Sequence, residues 1–143
     1  MGPRVLMITS RYYERISLEL EEGAREVLEA AGATVTLKEV PGAFEIPAAV
    51  AMAADCDMYD AFVTLGCVVR GETTHYDYVC GESARGLMDL SVQRRLAIGY
   101  GILTVESQDQ AWVRADRKQK NKGADAANAA LAMLGFRKEL LRG

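Results

Sequence analysis

His75 is the only histidine among the 143 residues of the chain. Imidazole is the side chain best suited to moving protons near neutral pH, so any histidine-dependent catalysis must rest on this residue. It follows the short stretch Gly71–Thr74, and a helical pattern of apolar residues begins just after it. We predict that Thr74 caps this helix and that Asp77 completes a capping box.

The start of this predicted helix is suited to binding a phosphate group. Free backbone N–H groups near Thr73 would point outward at the positive end of the helix dipole. The same dipole disfavours a charged imidazolium, so a neutral His75 would be able to accept a proton there. The alternative is that His75 is a first-turn residue without a chemical role.

Basic residues are concentrated in one segment, because five of the 17 Lys and Arg residues lie between Arg114 and Lys122. Nucleic-acid binding is disfavoured, since the formal net charge is −3 and aromatic residues are not interleaved with these bases. We expect Lys118 and Lys120 to be solvated surface residues. The better hypothesis is that a few of the other bases, including Arg114, bind one phosphate group.

Four aromatic residues are candidates for stacking on a planar ligand: Tyr12, Phe44, Tyr100 and Trp112. We expect Trp112 to pack in the core instead. Tyr12 and Phe44 follow predicted strands in loops, where an exposed aromatic side chain often contacts a ligand.

Several classes of protein are excluded by motif and composition. The chain contains neither a dinucleotide-binding glycine pattern nor a P-loop, and residues 81–86 resemble a nucleophile elbow only superficially. No apolar run is long enough to span a bilayer, and the first residues lack the apolar region of a signal peptide. One histidine and three cysteines without C-x-x-C spacing argue against a metal site and predict reduced thiols in a cytoplasmic protein.

Hydrophobic periodicity predicts alternating strands and helices, the first helix having its acidic residues on the outside. This order favours a parallel sheet covered on both faces. We therefore predict one domain over residues 1–143, an α/β fold of the flavodoxin-like type with a three-layer α/β/α sandwich and a four-stranded parallel sheet. The predicted strands are Val5–Ile8, Thr34–Val40, Ala61–Val69 and Ile98–Val105. The predicted helices are Arg15–Ala31, one ending near Asp55, one from about His75 to Leu96, one capped by Ser107, and one from about Ala124 to Leu140.

In open parallel sheets, ligands bind beyond the carboxyl ends of the strands. In this chain those ends lead into residues 10–13, 41–47, 70–75 and 106–107. Because three of these four segments have unusually specific compositions, we expect a ligand site at this edge of the sheet.

Three stretches carry most of this specificity: Val40–Pro47, Leu65–Val79 and Asn121–Gly123. Together they resemble the 6,7-dimethyl-8-ribityllumazine synthase family, and the resemblance runs from about Val5 to Leu134. It implies the penultimate step of riboflavin biosynthesis, in which 5-amino-6-(D-ribitylamino)uracil condenses with 3,4-dihydroxy-2-butanone 4-phosphate. The products are 6,7-dimethyl-8-(D-ribityl)lumazine, phosphate and water, and no cofactor is implied.

The resemblance also implies roles for individual residues, with His75 as the proton-transfer residue. The pyrimidine and ribityl chain would be bound by Tyr12, Ala43, Phe44, Glu45, Cys67, Val68, Val69 and, from a neighbouring subunit, Tyr100. The butanone phosphate would be bound by Glu72, Thr73 and Arg114, with Lys122 and Asp125 in support. No metal is implied, and the two substrates are the only small-molecule partners.

Sites in this family lie between the subunits of a pentamer, so the resemblance implies at least a homopentamer. Three departures distinguish this chain: Tyr12-Tyr13 stands where Phe-Asn is frequent, few residues precede Val5 where many members have an extra strand, and residues 116–120 lack the glycines common in shell-forming members. We therefore expect an isolated pentamer.

Two other functions stay open. One is a non-catalytic flavin- or lumazine-binding protein on the same scaffold, against which the intact His75, Arg114 and Lys122 argue. The other is a phosphosugar enzyme with different chemistry, which would convert the phosphate substrate without the pyrimidine.

Overall fold

A parallel sheet of four strands forms the middle layer of the computed structural model, which describes residues 2–142. The spatial order is β2-β1-β3-β4, with all neighbouring strands parallel. The four predicted strands are confirmed, although the first extends beyond Val5–Ile8 at both ends. The strands are β1 (Arg4–Ser10), β2 (Thr34–Val40), β3 (Ala61–Val69) and β4 (Ile98–Val105).

Within residues 2–142, five α-helices cover the two faces of this sheet. They are α1 (Glu14–Ala30), α2 (Ile46–Ala54), α3 (His75–Gln93), α4 (Gln108–Ala115) and α5 (Lys122–Arg142). Helices α1, α4 and α5 pack on one face, while α2 and α3 pack on the other. The predicted three-layer α/β/α sandwich is therefore confirmed. None of these helices is both long and apolar enough to cross a membrane.

The central strands β1 and β3 are mainly apolar because they are covered on both faces. In β1, Val5 and Met7 face the core beneath α1 and α5, while Leu6 and Ile8 face the core beneath α2 and α3. Alternate residues of a strand point to opposite faces, so a strand in the middle of three layers needs apolar side chains on both faces. The resulting rigid centre fixes where the loops after β1 and β3 begin.

Some local predictions are wrong. Helix α3 ends at Gln93 rather than Leu96, and Arg95 has a left-handed backbone with φ of 56°. Helix α5 begins at Lys122 rather than Ala124, directly after Asn121, which is also left-handed. The acidic residues of α1 do not all lie on the outside, since Glu21 is buried. Its carboxylate accepts hydrogen bonds from Thr9 and Arg11, which makes that burial possible.

Candidate active site

Eight of the predicted site residues line one cavity at the carboxyl ends of β1 and β3. The cavity has a volume of about 300 Å³ and lies between the loop after β1, a short 3-10 turn at Ala43–Glu45 and the start of α3. Ligand sites in proteins commonly have volumes from a few hundred Å³ upward, so the space suits a small molecule. The eight residues are Tyr12, Ala43, Phe44, Cys67, Val68, Val69, Thr73 and His75.

Two aromatic rings at the cavity are largely open to solvent. Tyr12 is 78% exposed and Phe44 is 55% exposed. Tyr12 touches Tyr13 edge to face, with ring centroids 5.0 Å apart and the planes at 75°. Exposed aromatic faces beside a concave surface can cover a planar ligand and remove apolar area from water.

The loop before α3 supplies Thr73 and His75 to the cavity, but not by the predicted cap. The Thr74 side chain accepts no hydrogen bond from the N–H groups of α3, all of which lie within the described residues. Its backbone is already helical, with φ of −73° and ψ of −2°, and the capping box with Asp77 does not form. The Thr73 hydroxyl instead accepts a long hydrogen bond of 3.4 Å from the His75 N–H. The predicted helix start is nonetheless at the cavity, with His75 exposed in its first turn.

Arg70 ties this loop to the neighbouring strand. Its Nε donates to Glu106 at 2.5 Å, and its guanidinium lies 3.7 Å from Asp77 and 4.4 Å from the ring centroid of Tyr76. The hydrogen bond with Glu106 raises the pKa of Arg70 above its ordinary value. The ends of β3 and β4 and the first turn of α3 are thereby held together around residues 70–77.

Burial raises the pKa of several groups around the cavity that are already uncharged near neutral pH. It raises the pKa of the Cys67 thiol to about 12, so this residue contributes apolar surface rather than a thiolate nucleophile. Burial also raises the pKa of Tyr13 and Tyr76, whose protonated hydroxyls can donate hydrogen bonds.

Three other predicted residues, Tyr100, Arg114 and Lys122, line a second cavity of about 230 Å³. Arg114 donates to the Gln110 carbonyl at 3.0 Å, and its other guanidinium donors make no hydrogen bond within residues 2–142. Burial raises the pKa of Tyr100. Because this cavity runs along β4, at an edge of the sheet, the chain does not bring Arg114 into the cavity of His75.

Comparison with known proteins decides the family. A family model described as 6,7-dimethyl-8-ribityllumazine synthase matches residues 2–138. The chain belongs to this family. It is 56% identical over 137 residues to the 6,7-dimethyl-8-ribityllumazine synthase of Methylobacterium radiotolerans, covering 96% of this chain and 84% of that protein. It is 53% identical to 6,7-dimethyl-8-ribityllumazine synthase 1 of Rhodopseudomonas palustris, covering 99% and 90%. The Bartonella tribocorum protein of the same name is also 53% identical, covering 95% and 91%.

In this member of the lumazine synthase family, three predicted site residues lie outside both cavities. Glu45 and Glu72 are exposed next to the lining residues Phe44 and Thr73. Asp125 forms an ion pair of 3.3 Å with Lys122. The prediction that Trp112 packs in the core is confirmed in part: it is partly buried against the α1 side, with the Arg15 guanidinium 3.7 Å from its ring centroid.

Sequence reasoning did not assign a role to five further residues that line the first cavity. Val79 was detectable in principle, because positions four apart on a helix share a face and Val79 lies four residues after His75. Tyr13 was noted only as a departure from the lumazine synthase family. The five are Ser10, Tyr13, Gly71, Tyr76 and Val79.

Proposed function

We propose that this chain condenses 5-amino-6-(D-ribitylamino)uracil with 3,4-dihydroxy-2-butanone 4-phosphate to form 6,7-dimethyl-8-(D-ribityl)lumazine. One observation carries the proposal: a single cavity combines His75, the start of α3 and two exposed aromatic rings, all within residues matched to the lumazine synthase family. These features correspond to a proton-transfer group, a phosphate subsite and a platform for a planar heterocycle.

The chemistry needs proton movement and stabilisation of phosphate charge. The aromatic amine attacks the ketone carbonyl, water leaves to form an imine, phosphate is eliminated, and the second amine attacks the remaining carbonyl and closes the ring with loss of a second water. These steps involve no external oxidant or reductant, so the proposal includes no redox cofactor. Much of the acceleration is expected from holding two substrates together.

The predicted site residues in and beside the first cavity then have the following roles. Tyr12 and Phe44 cover the pyrimidine, and Ala43, Glu45 and the apolar strand end Cys67–Val69 hold the ring and ribityl chain. Backbone N–H groups at Glu72 and Thr73 bind the phosphate beside the positive end of α3. His75 exchanges protons with the reacting nitrogen and oxygen atoms.

We further propose a homopentamer in the cytoplasm, with each site completed by a neighbouring subunit. Tyr100, Arg114 and Lys122 line a cavity separate from that of His75, as expected if the two cavities are complementary halves of one site. The neighbour's Arg114 then pairs with the substrate phosphate, and Lys122 with Asp125 supports it.

The test is to incubate the purified protein with both substrates and follow lumazine by absorbance, with protein-free and single-substrate controls. Light scattering on the same sample should give a mass near five times 15.6 kDa. Tight riboflavin binding without lumazine formation would instead favour the non-catalytic binding protein. Turnover of the butanone phosphate in the absence of the pyrimidine would favour the phosphosugar enzyme.

A further inference from the structure

Glu21 is a charged residue on the buried face of α1. It lies on the core-facing side of α1, one turn from Ser17 and three residues before Ala24, and it is only 4% exposed. Its carboxylate accepts hydrogen bonds from the Thr9 hydroxyl at 2.8 Å and from Arg11 at 3.0 Å and 2.8 Å. The two Arg11 contacts form a bidentate pair, the geometry in which a buried carboxylate is best compensated.

This ion pair lies next to the loop that carries Tyr12. Arg11 immediately follows β1, and its guanidinium also lies 3.9 Å from Glu39 near the end of β2. One residue earlier, the Ser10 carbonyl accepts a hydrogen bond of 2.6 Å from the buried Ser17 hydroxyl. Two consecutive residues before Tyr12 are therefore bound to α1: Ser10 through its carbonyl and Arg11 through its side chain.

The ring of Tyr12 itself has little support from side chains. It is 78% exposed, and its aromatic neighbour is Tyr13, which meets it edge to face. A ring with a free face can bind a planar ligand tightly only if the backbone below it does not have to be ordered during binding. The contacts of Glu21 and Arg11 provide that order in advance.

We propose that Glu21 is a positioning residue for the pyrimidine substrate, acting through Arg11 to hold Tyr12 where its ring covers the heterocycle. This inference rests on the proposed function, in which Tyr12 contacts the pyrimidine. An ion pair of this kind adds little stability compared with apolar side chains of the same shape. Because the ion pair lies next to the loop that carries Tyr12, we assign it a role in positioning this loop rather than in stabilising the fold.

The first test compares steady-state kinetics of Glu21→Gln and Arg11→Lys with the parent chain. Both variants lose the bidentate pair, and Arg11→Lys remains informative if Glu21→Gln does not fold. The KM for the pyrimidine should rise about tenfold, while the KM for the butanone phosphate stays within about twofold. The control is Glu19→Gln on the same helix, which breaks an ion pair with Arg117 away from the cavity and should leave both KM values unchanged.

The second test places Glu21→Gln in a Tyr12→Ala background. If Glu21 acts through Tyr12, the double variant should have the same pyrimidine KM as Tyr12→Ala alone, because the ring it positions is already missing. A purely structural role predicts instead that the two effects multiply, and that result would overturn the inference. So would unchanged pyrimidine KM values in Glu21→Gln and Arg11→Lys when Tyr12→Ala alone raises this KM. An unchanged KM in Tyr12→Ala would remove the stacking role and the inference with it, while lumazine formation by the parent chain tests the proposed reaction separately.

Discussion

His75 and Arg114 line different cavities of the same chain. His75 begins α3 beyond the carboxyl end of β3, whereas Arg114 lies near the end of α4 in a cavity that runs along β4. Under the proposed function both residues contact one phosphorylated substrate. Two copies of the chain must then meet so that the first cavity of one faces the second cavity of the other.

Subunit mixing tests this arrangement. His75→Ala and Arg114→Ala should each be weakly active alone, yet co-expression in equal amounts should restore about a quarter of parent activity. In a randomly mixed ring, about one site in four combines an intact His75 from one subunit with an intact Arg114 from its neighbour. The measurement is the initial rate of lumazine formation by the mixed assembly at a butanone phosphate concentration below the parent KM, where loss of Arg114 lowers the rate.

The control for that experiment is the double variant His75→Ala/Arg114→Ala, which should stay inactive under the same treatment. If the mixed assembly is no faster than the average of its two components, the shared site is wrong. Recovery requires assembly, so the mixed sample should also keep the mass of the parent protein by light scattering.

Replacing His75 should slow the chemical steps more than it weakens binding. We expect His75→Ala to lower kcat by about 10²-fold, since general acid–base catalysis typically contributes 10²–10⁴-fold and proximity is retained. Pre-steady-state and steady-state rates of lumazine formation measure this. Tyr78→Phe, at an exposed position in the same helical turn, serves as the control. A kcat equal to that of the parent would remove His75 from the mechanism.

Replacing Arg114 should chiefly weaken binding of the phosphorylated substrate. A hydrogen bond to a charged group contributes about 1.5–3 kcal/mol, so the KM for the butanone phosphate should rise about 10- to 100-fold in Arg114→Ala. Lys118→Ala removes an exposed charge four residues away and should have little effect. An Arg114→Ala variant with a normal KM for this substrate contradicts the phosphate assignment.

The start of α5 depends on a close helix contact at Gly123, next to Lys122. A Cβ at Gly123 would lie 2.1 Å from the Leu20 carbonyl oxygen of α1, so Gly123→Ala must push the helices apart. Overpacking of this kind costs about 1–3 kcal/mol. We expect a lower thermal midpoint and, because Lys122 moves, a higher KM for the butanone phosphate.

The matched control is Gly135→Ala on the same helix, where an added Cβ meets open space. Alanine is the better helix former, so this variant should be more stable by about 0.5–1 kcal/mol. Equal thermal midpoints for the two variants would show that the contact with Leu20 is unimportant.

Much of the fold was predictable because the buried core restricts which residue types can form its strands. The apolar runs of β1 and β3 are typical of strands covered on both faces. The helical periodicity of the segments between the strands predicts the helices that connect them. The cavity at the carboxyl ends of these strands follows from the parallel topology. Tyr12, Phe44 and His75 could thus be grouped before their positions were known.

Other features depend on tertiary contacts that no local pattern specifies. Thr74 has a good capping side chain, but its backbone continues the helical conformation and the hydroxyl is not used as a cap. Glu21 fits an exposed position by residue type, yet Thr9 and Arg11 compensate its charge from another element. The separation of Arg114 from His75 depends on how α4 and β4 are placed relative to β3, which spacing along the chain does not reveal.

The buried Cys67 thiol gives a pH-dependent prediction. Its pKa of about 12 in the folded protein lies above the ordinary 9.0, so between these values the unfolded chain loses the proton first. Stability should therefore fall as the pH rises from about 9 to about 12. At pH 8, iodoacetamide should label the exposed Cys56 quickly and Cys67 very slowly, as measured by peptide mass spectrometry. Cys56→Ser is the control and should remove the fast phase. Rapid labelling of Cys67 in the folded protein at pH 8 would show that its thiol is not buried in the way that raises its pKa.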